Sequence, residues 1–238
     1  MPVTTGKRAL TAALVVLVAL LSGCGVTDGL RSDDGTLPPP SAPPTTPSPL
    51  SAPSPAPSSE APPGPRQPTG PTRRVEASGI AMRVPAGWLA LDAGDLAAGA
   101  AGAPELADLA GRSGVTVDQL LAGLAGADLA LLDDHDAVGG FVDSLTVLSL
   151  PGPKPTGTRV EFGLLQMGAR GVLSTHLDTA VGDAVSTTFE LTTGPTTLHG
   201  VMVVVESGGR TAAITVSAHD DATAQRLARL VTDTVEAA

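Results

Sequence analysis

Apolar and polar residues along this chain fall into three regimes. Residues 9–21 form an uncharged apolar run with one polar member, Thr11. Residues 36–72 carry almost no large apolar side chains, only Leu37 and Leu50. From residue 73 onward apolar positions recur with the periods of strands and helices. The last third is the most legible. Stretches 172–181, 184–193, 197–206 and 210–218 read as strands, separated at hairpin lengths by Gly182-Asp183, Gly194-Pro195 and Ser207-Gly208-Gly209. Val201-Met202-Val203-Val204-Val205 is apolar on both faces, which places it mid-sheet with helices covering both sides. Asp220 or Asp221 then caps a closing helix with the stripe Ala224, Leu227, Ala228, Val231 and Val235.

Upstream, residues 79–84 alternate, with Ile80, Met82 and Val84 on one face. Pro85-Ala86-Gly87 suits a type I turn followed by a left-handed glycine, and Trp88-Leu89-Ala90-Leu91 resumes an extended segment, so the pattern predicts a hairpin. Residues 93–111 are Ala-, Gly- and Leu-rich and contain Gly94, Gly99, Gly102 and Pro104, which divides them into two short helices. Thr116-Val117-Asp118-Gln119 fits a capping box, opening a helix that carries Leu120, Leu121 and Leu124. Residues 128–133 read as a strand and 134–140 as a polar turn. Residues 141–150 read as another strand, with Phe141, Leu145 and Val147 on one face and Asp143 its polar exception. Residues 158–167 carry a less distinct period and are read as helix. The order is hairpin, helices, antiparallel sheet, closing helix, which makes an α+β sandwich.

The apolar run at 9–21 follows Lys7 and Arg8. At 13 residues it is too short to span a bilayer, which takes about 20, and it matches the hydrophobic core of a signal peptide. It ends in Leu21-Ser22-Gly23-Cys24, which resembles the lipobox of bacterial lipoproteins. The resemblance implies diacylglyceryl transfer to the Cys24 sulfur and cleavage between Gly23 and Cys24. Cys24 is the only cysteine in the chain. Two acyl chains suffice for stable anchoring, at about 0.8 kcal/mol per buried CH₂. The domain plan is a lipoprotein signal peptide at 1–23, a lipidated N-terminus and spacer at 24–72, and a folded domain at 73–238.

Between 36 and 72 there are 15 prolines in 37 residues, among Ser, Thr, Ala and Gly, with Glu60 and Arg66 the only charges. Such a composition cannot bury enough apolar surface to offset chain entropy, so the segment is expected to be disordered with polyproline II bias. It reads as a tether that reaches on the order of 100 Å when extended. The alternatives are a proline-motif ligand for a partner and O-glycosylation of its Ser and Thr residues.

Net charge alters the partner list. The full chain carries 14 basic and 24 acidic side chains; removal of residues 1–23, with Lys7 and Arg8, makes the balance −12. That excludes nucleic acid as a partner and leaves the lipid, not a basic patch, to hold the protein to the membrane. One cysteine excludes a disulfide framework and multi-cysteine zinc sites. Arg outnumbers Lys 12 to 2 and Ala, Gly and Pro abound, a bias typical of high-GC genomes; with the lipobox and spacer it suggests an actinobacterium. Aromatics are scarce: Trp88, Phe141, Phe162 and Phe189 are the only four, all in the folded part. The core must therefore rest on Leu, Val and Ala.

The Pro-x-Gly-Trp turn at 85–88, the late four-strand meander, and the closing helix after Ser217-Ala218-His219-Asp220 resemble the LpqN-type lipoproteins of actinobacteria, within the PsbP-like α/β/α sandwich superfamily. The match covers roughly residues 75–238. It implies a sheet covered by helices and a mostly non-catalytic role, docking on other proteins; it carries over no catalytic motif.

Candidate chemistry is sparse. Asp133-Asp134-His135-Asp136 is the densest polar cluster, but it lacks the alternate spacing and distant Glu of a calcium loop, so no metal is expected and the run reads as a solvated turn. Ser174, His176 and Asp178 would share one face of a strand at about 6.5 Å per step, too far for a hydrogen-bonded triad, and no G-x-S-x-G elbow occurs. His199 and His219 read as structural. Trp88 is read as a core or hairpin anchor, with a stacking platform in a ligand groove as the functional alternative. The expectation is a membrane-anchored extracytoplasmic lipoprotein acting as a non-catalytic binding or accessory module of the cell envelope, with an envelope protein as partner and no cofactor. A carrier of a small or lipidic ligand is the alternative, and a hydrolase ranks last.

Overall fold

The computed structural model describes residues 70–98, 104–138, 140–193 and 196–238. The signal segment, the lipobox Leu21-Ser22-Gly23-Cys24, the spacer up to residue 69 and the Gly194-Pro195 turn lie outside the described residues.

Two antiparallel sheets and five helices make up the described fold. β1 (Thr72–Ala77), β2 (Ile80–Pro85) and β10 (Glu236–Ala237) form a small sheet in the order β1-β2-β10. Then come β3 (Leu89–Asp92), α1 (Ala93–Ala97), α2 (Pro104–Arg112), α3 (Val117–Leu124), β4 (Leu129–Val138) and β5 (Phe141–Leu150). They are followed by α4 (Gly157–Gln166), β6 (Arg170–Thr179), β7 (Gly182–Thr193), β8 (Thr196–Ser207), β9 (Arg210–Ala218) and α5 (Asp221–Thr234). The large sheet has seven strands in the order β3-β4-β5-β9-β8-β7-β6.

β8 sits inside this sheet, as its two-faced apolar run requires. Val201, Val203 and Val205 pack with Ala224, Leu227, Ala228 and Val231 of α5 and with Ile80, Met82 and Val84 of β2. Met202 and Val204 point the other way, into Val160 and Leu164 of α4. Leu106 and Leu109 of α2 and Leu124 of α3 cover the same side further along, over Leu91, Ala130 and Leu132. Helices therefore flank both faces, giving the α+β sandwich. The core is aliphatic, with Trp88 and Phe189 its buried aromatics.

Local signals account for the boundaries. Thr116 and Gln119 form the expected capping box, and the Asp220 carboxylate caps α5 by accepting from the Thr223 N–H at 2.9 Å. The two-residue β8–β9 turn uses Gly208 and Gly209 at φ 57° and 76°, the left-handed pair a type I′ hairpin needs.

Four expectations are corrected. β2 and β3 do not form a hairpin. β2 pairs with β1 and β10, whereas β3 pairs with β4 of the large sheet. The Pro85-Ala86-Gly87 turn is thus a crossing between sheets, and Gly87 is not left-handed. The hairpin partner of β2 is the strand at its N-terminal side, closed by Ser78 and Gly79 at φ 56° and 79°. The expected polar turn at 134–140 is mostly strand: β4 runs to Val138 through a register shift, with residues 133–136 opposite Asp143 alone. Phe141 packs with the α4 side rather than with Leu145 and Val147. The β6–β7 turn falls before Gly182, which already pairs with Thr179.

Candidate functional site

The bulge in β4 opens the site. Four residues of one strand stand opposite one of the other, so the ladder parts beside Asp143. A groove of about 400 Å³ lies there, walled by the start of β1, the Pro85–Trp88 crossing, the β4 bulge and the first turns of α5. Trp88, Pro71, Pro85, Val138, Leu227 and Leu230 supply its apolar surface; Asp133, Asp143, His219, Thr223 and Arg226 supply its polar surface.

Trp88 is 8% exposed and belongs both to the core and to the groove wall. Arg73 fixes its backbone, donating from Nη2 to the Trp88 carbonyl at 2.5 Å. The chain entering β1 is fixed beside it, because the Ala86 N–H donates to the Pro71 carbonyl at 3.0 Å. Gly87 lies close to the His135 ring: a Cβ there would stand 3.0 Å from it, and the exposed ring would have to shift by a few tenths of an ångström.

At the other wall His219 is held between two carboxylates. Its Nδ1 lies 2.9 and 3.1 Å from the Asp143 oxygens, and its backbone N–H donates to Asp143 Oδ1 at 2.9 Å. Its Nε2 lies 3.0 Å from Asp220 Oδ2. Both ring nitrogens thus stand within reach of carboxylates, so the charged imidazole, which donates from both, would be compensated on either side. Asp143 is the buried member, its side chain 10% exposed against 35% for His219 and 41% for Asp220. Asp220 is held below the usual carboxylate value by its side-chain and backbone bonds with Thr223, with the His219 charge adding to them against some desolvation. Arg226 Nη2 donates to Thr223 Oγ1 at 3.1 Å.

This chemistry suits holding a ligand. Both His219 ring nitrogens face carboxylate oxygens, and the Thr223 hydroxyl accepts from Arg226. An indole wall, apolar helix residues and a few fixed charges are the ordinary contents of a binding groove.

The remaining candidates lie elsewhere. The Ser174 hydroxyl is turned under α4, 2.8 Å from Thr187 Oγ1 and 3.3 Å from the Gly157 carbonyl. His176 points to solvent, 73% exposed and 3.8 Å from Asp183. Ser174, His176 and Asp178 are not brought together. Asp133 reaches the groove and accepts from the His135 backbone at 3.0 Å; the side chains of Asp134 and Asp136 lie outside the described residues. Among the described residues no group of three or more His, Cys, Asp and Glu is arranged to hold a metal ion, and no helix is long and apolar enough to cross a membrane. His199, on β8, lies 3.7 Å from Glu190 of β7. Sequence reasoning missed the coupling of His219 to Asp143, 76 positions apart. The polar exception of β5 was its one visible sign.

No family model matches the chain, and no curated protein does. Solved structures do. The solution structure of cyanobacterial PsbP (CyanoP) from Synechocystis matches with 14% identity and a TM-score of 0.45, over 74% of this chain and 98% of that one. LpqN of Mycobacterium tuberculosis, described as involved in cell envelope biogenesis, matches with 14% identity and a TM-score of 0.38, over 72% of this chain and 87% of that one.

Proposed function

We propose that the protein is a lipid-anchored, extracytoplasmic lipoprotein whose folded part is a non-catalytic binding module of the cell envelope, and that the Trp88 groove receives its partner. The anchor rests on Leu21-Ser22-Gly23-Cys24 behind a 13-residue apolar run. The binding role rests on one observation: the groove sets an aromatic wall and apolar helix residues beside a histidine held between two carboxylates. The partner is an envelope protein that lays an apolar side chain on Val138, which stands 49% exposed at the groove's edge. Radiolabelled palmitate should enter the wild type and not Cys24→Ala; equal labelling would remove the anchor from this reading. Cross-linking in cells should join the wild type to a protein that Val138→Glu, folded to the same Tm, fails to capture. Equal capture by both would move the binding surface elsewhere.

A carrier of a small or lipidic ligand is the second reading. The groove's volume of about 400 Å³ favours it, being within the range of small-molecule sites. Native mass spectrometry of the detergent-solubilised chain separates the two: a retained small mass favours the carrier, a bare mass the protein partner.

A further inference from the structure

β6 ends one side of the seven-stranded sheet, and among the described residues no strand lies beyond it. Its outward groups can be assigned. Ser174 donates its N–H outside the ladder, to Glu161 Oε1 of α4 at 2.9 Å. In an antiparallel pair that orientation repeats at every second residue. His176 and Asp178 therefore also turn N–H and C=O away from β7. The pairing with β7 is regular from Leu173 to Thr179; its one shift lies before Leu173, at the left-handed Gly171. A regular edge with open backbone groups is a template for one more strand.

The side chains of this edge specify which strand. From residue 173 to 181 it reads Leu-Ser-Thr-His-Leu-Asp-Thr-Ala-Val. About Leu177 as centre, Thr175 mirrors Thr179, Leu173 mirrors Val181, and His176 mirrors Asp178. An antiparallel copy laid along the edge in that register sets Leu177 opposite Leu177 of the partner subunit. It also sets each His176 opposite an Asp178, and these become the hydrogen-bonded pairs, joined by the outward backbone groups. Each imidazole then faces a carboxylate on one side of the sheet, a favourable cross-strand pair. On the other side Leu173, 63% exposed in the single chain, comes opposite the half-buried Val181. The Ser174 N–H keeps its bond to Glu161. Centring the pair on His176 would set two histidines together, and centring it on Asp178 would set two carboxylates together. The mirrored pattern is what a two-fold interface requires, since the same patch must fit itself.

We propose that β6 is a dimerisation edge: two copies of this chain join β6 to β6 about a two-fold axis at Leu177, continuing the large sheet from one copy into the other. β6 contributes nothing to the Trp88 groove, so the dimer leaves that groove open and is independent of the partner reading.

The test uses the full chain in detergent micelles under a mild thiol oxidant, with disulfide-linked peptides identified by mass spectrometry. In Leu177→Cys the two thiols face each other across the axis, with Cα atoms about 4.5 Å apart, within disulfide reach. It should link to itself in high yield. Thr175→Cys alone should link to itself at least tenfold less, because its own copy stands about 13 Å along the strand. Chains carrying Thr175→Cys mixed with chains carrying Thr179→Cys should link to each other, which reads the register without altering Leu177. In Leu177→Cys, adding His176→Asp sets carboxylates opposite each other and should lower the yield severalfold; adding Asp178→Lys as well should restore it. Equal self-linking of Leu177→Cys and Thr175→Cys, no link in either Leu177→Cys or the Thr175→Cys/Thr179→Cys mixture, or a yield unmoved by His176→Asp would overturn the proposal. If these links fail while Val138→Glu still abolishes partner capture, only the dimer is lost. If they form while Val138→Glu captures normally, only the partner reading is lost.

Discussion

Replacing Asp143 by Ala tests whether the histidine cluster holds the groove together. The substitution removes three contacts: one to the His219 backbone N–H at 2.9 Å and two to Nδ1 at 2.9 and 3.1 Å. A hydrogen bond to a charged group contributes about 1.5–3 kcal/mol, and unpairing a fully buried ion pair costs about 3–5 kcal/mol. His219 keeps 35% of its side-chain surface in water and retains Asp220. Solvent therefore takes up part of the stranded charge, and the expected loss falls to about 2 kcal/mol. For a domain of this size that lowers Tm by about 4–8 °C. Asp143→Asn should cost about half as much, because its carbonyl still accepts from the His219 N–H while its amide faces Nδ1. Urea unfolding followed by Trp88 fluorescence reads both, since Trp88 lines the same groove. If Asp143→Ala unfolds within about 0.5 kcal/mol of wild type, the size expected of an ordinary surface change, the cluster is not a structural tie. If Asn costs as much as Ala, the backbone bond is not the main component.

Further outcomes follow from other sites. Gly200→Ala would drive a Cβ into the Phe189 ring across the β7–β8 ladder, so its thermal unfolding should show a loss of about 1–3 kcal/mol. Thr215 is 4% exposed, and its hydroxyl has no hydrogen-bond partner among the described residues; Thr215→Val should stabilise by about 1 kcal/mol in the same assay, and destabilisation would reveal a missed partner. Burial pushes the Asp128 carboxyl up, but bonds from Ser78 and Ser149 outweigh it and hold the group below its ordinary 3.8. In acid the unfolded chain therefore binds that proton first, so the stabilisation is complete above 3.8 and fades as pH falls through the lower folded value. Urea midpoints at neutral pH and at pH near 3 should differ less in Asp128→Asn than in wild type.

The parts of the fold that were legible are those where a local rule and the tertiary environment demand the same residues. Val201–Val205 could only be a strand covered on both faces, and α5 carries its stripe and its cap within the 16 residues from Asp220 to Val235. The β2–β3 misreading has the opposite cause. Pro85-Ala86-Gly87 satisfies hairpin chemistry locally, yet pairing is decided by which strand offers a longer register. β1 pairs with β2 over six residues, Thr72 to Ala77, whereas β3 is only four residues long and extends β4. β1 itself stayed hidden because Thr72-Arg-Arg-Val-Glu-Ala has one large apolar side chain, and its neighbours are proline-rich.

The groove was less legible than the fold because no single segment contains it. Asp143 broke the pattern of β5, and Asp133 sat in a run that read as a solvated turn. His219 looked like an ordinary residue before a helix cap, and Trp88 looked like an anchor. Each of those local readings describes part of what the residue does. The site appears only when the large sheet sets β5 beside β9, pairing Ser144 with Ser217, and so brings Asp143 within reach of the residue just after β9. The β4 bulge then keeps the space above Asp143 from being closed by a regular ladder. Straightening the bulge would cover the carboxylate with a cross-strand neighbour and remove the polar wall, while the core around Leu145 and Val147 would remain intact. The groove's polar wall is thus set by an irregularity of strand pairing that the apolar periodicity does not encode.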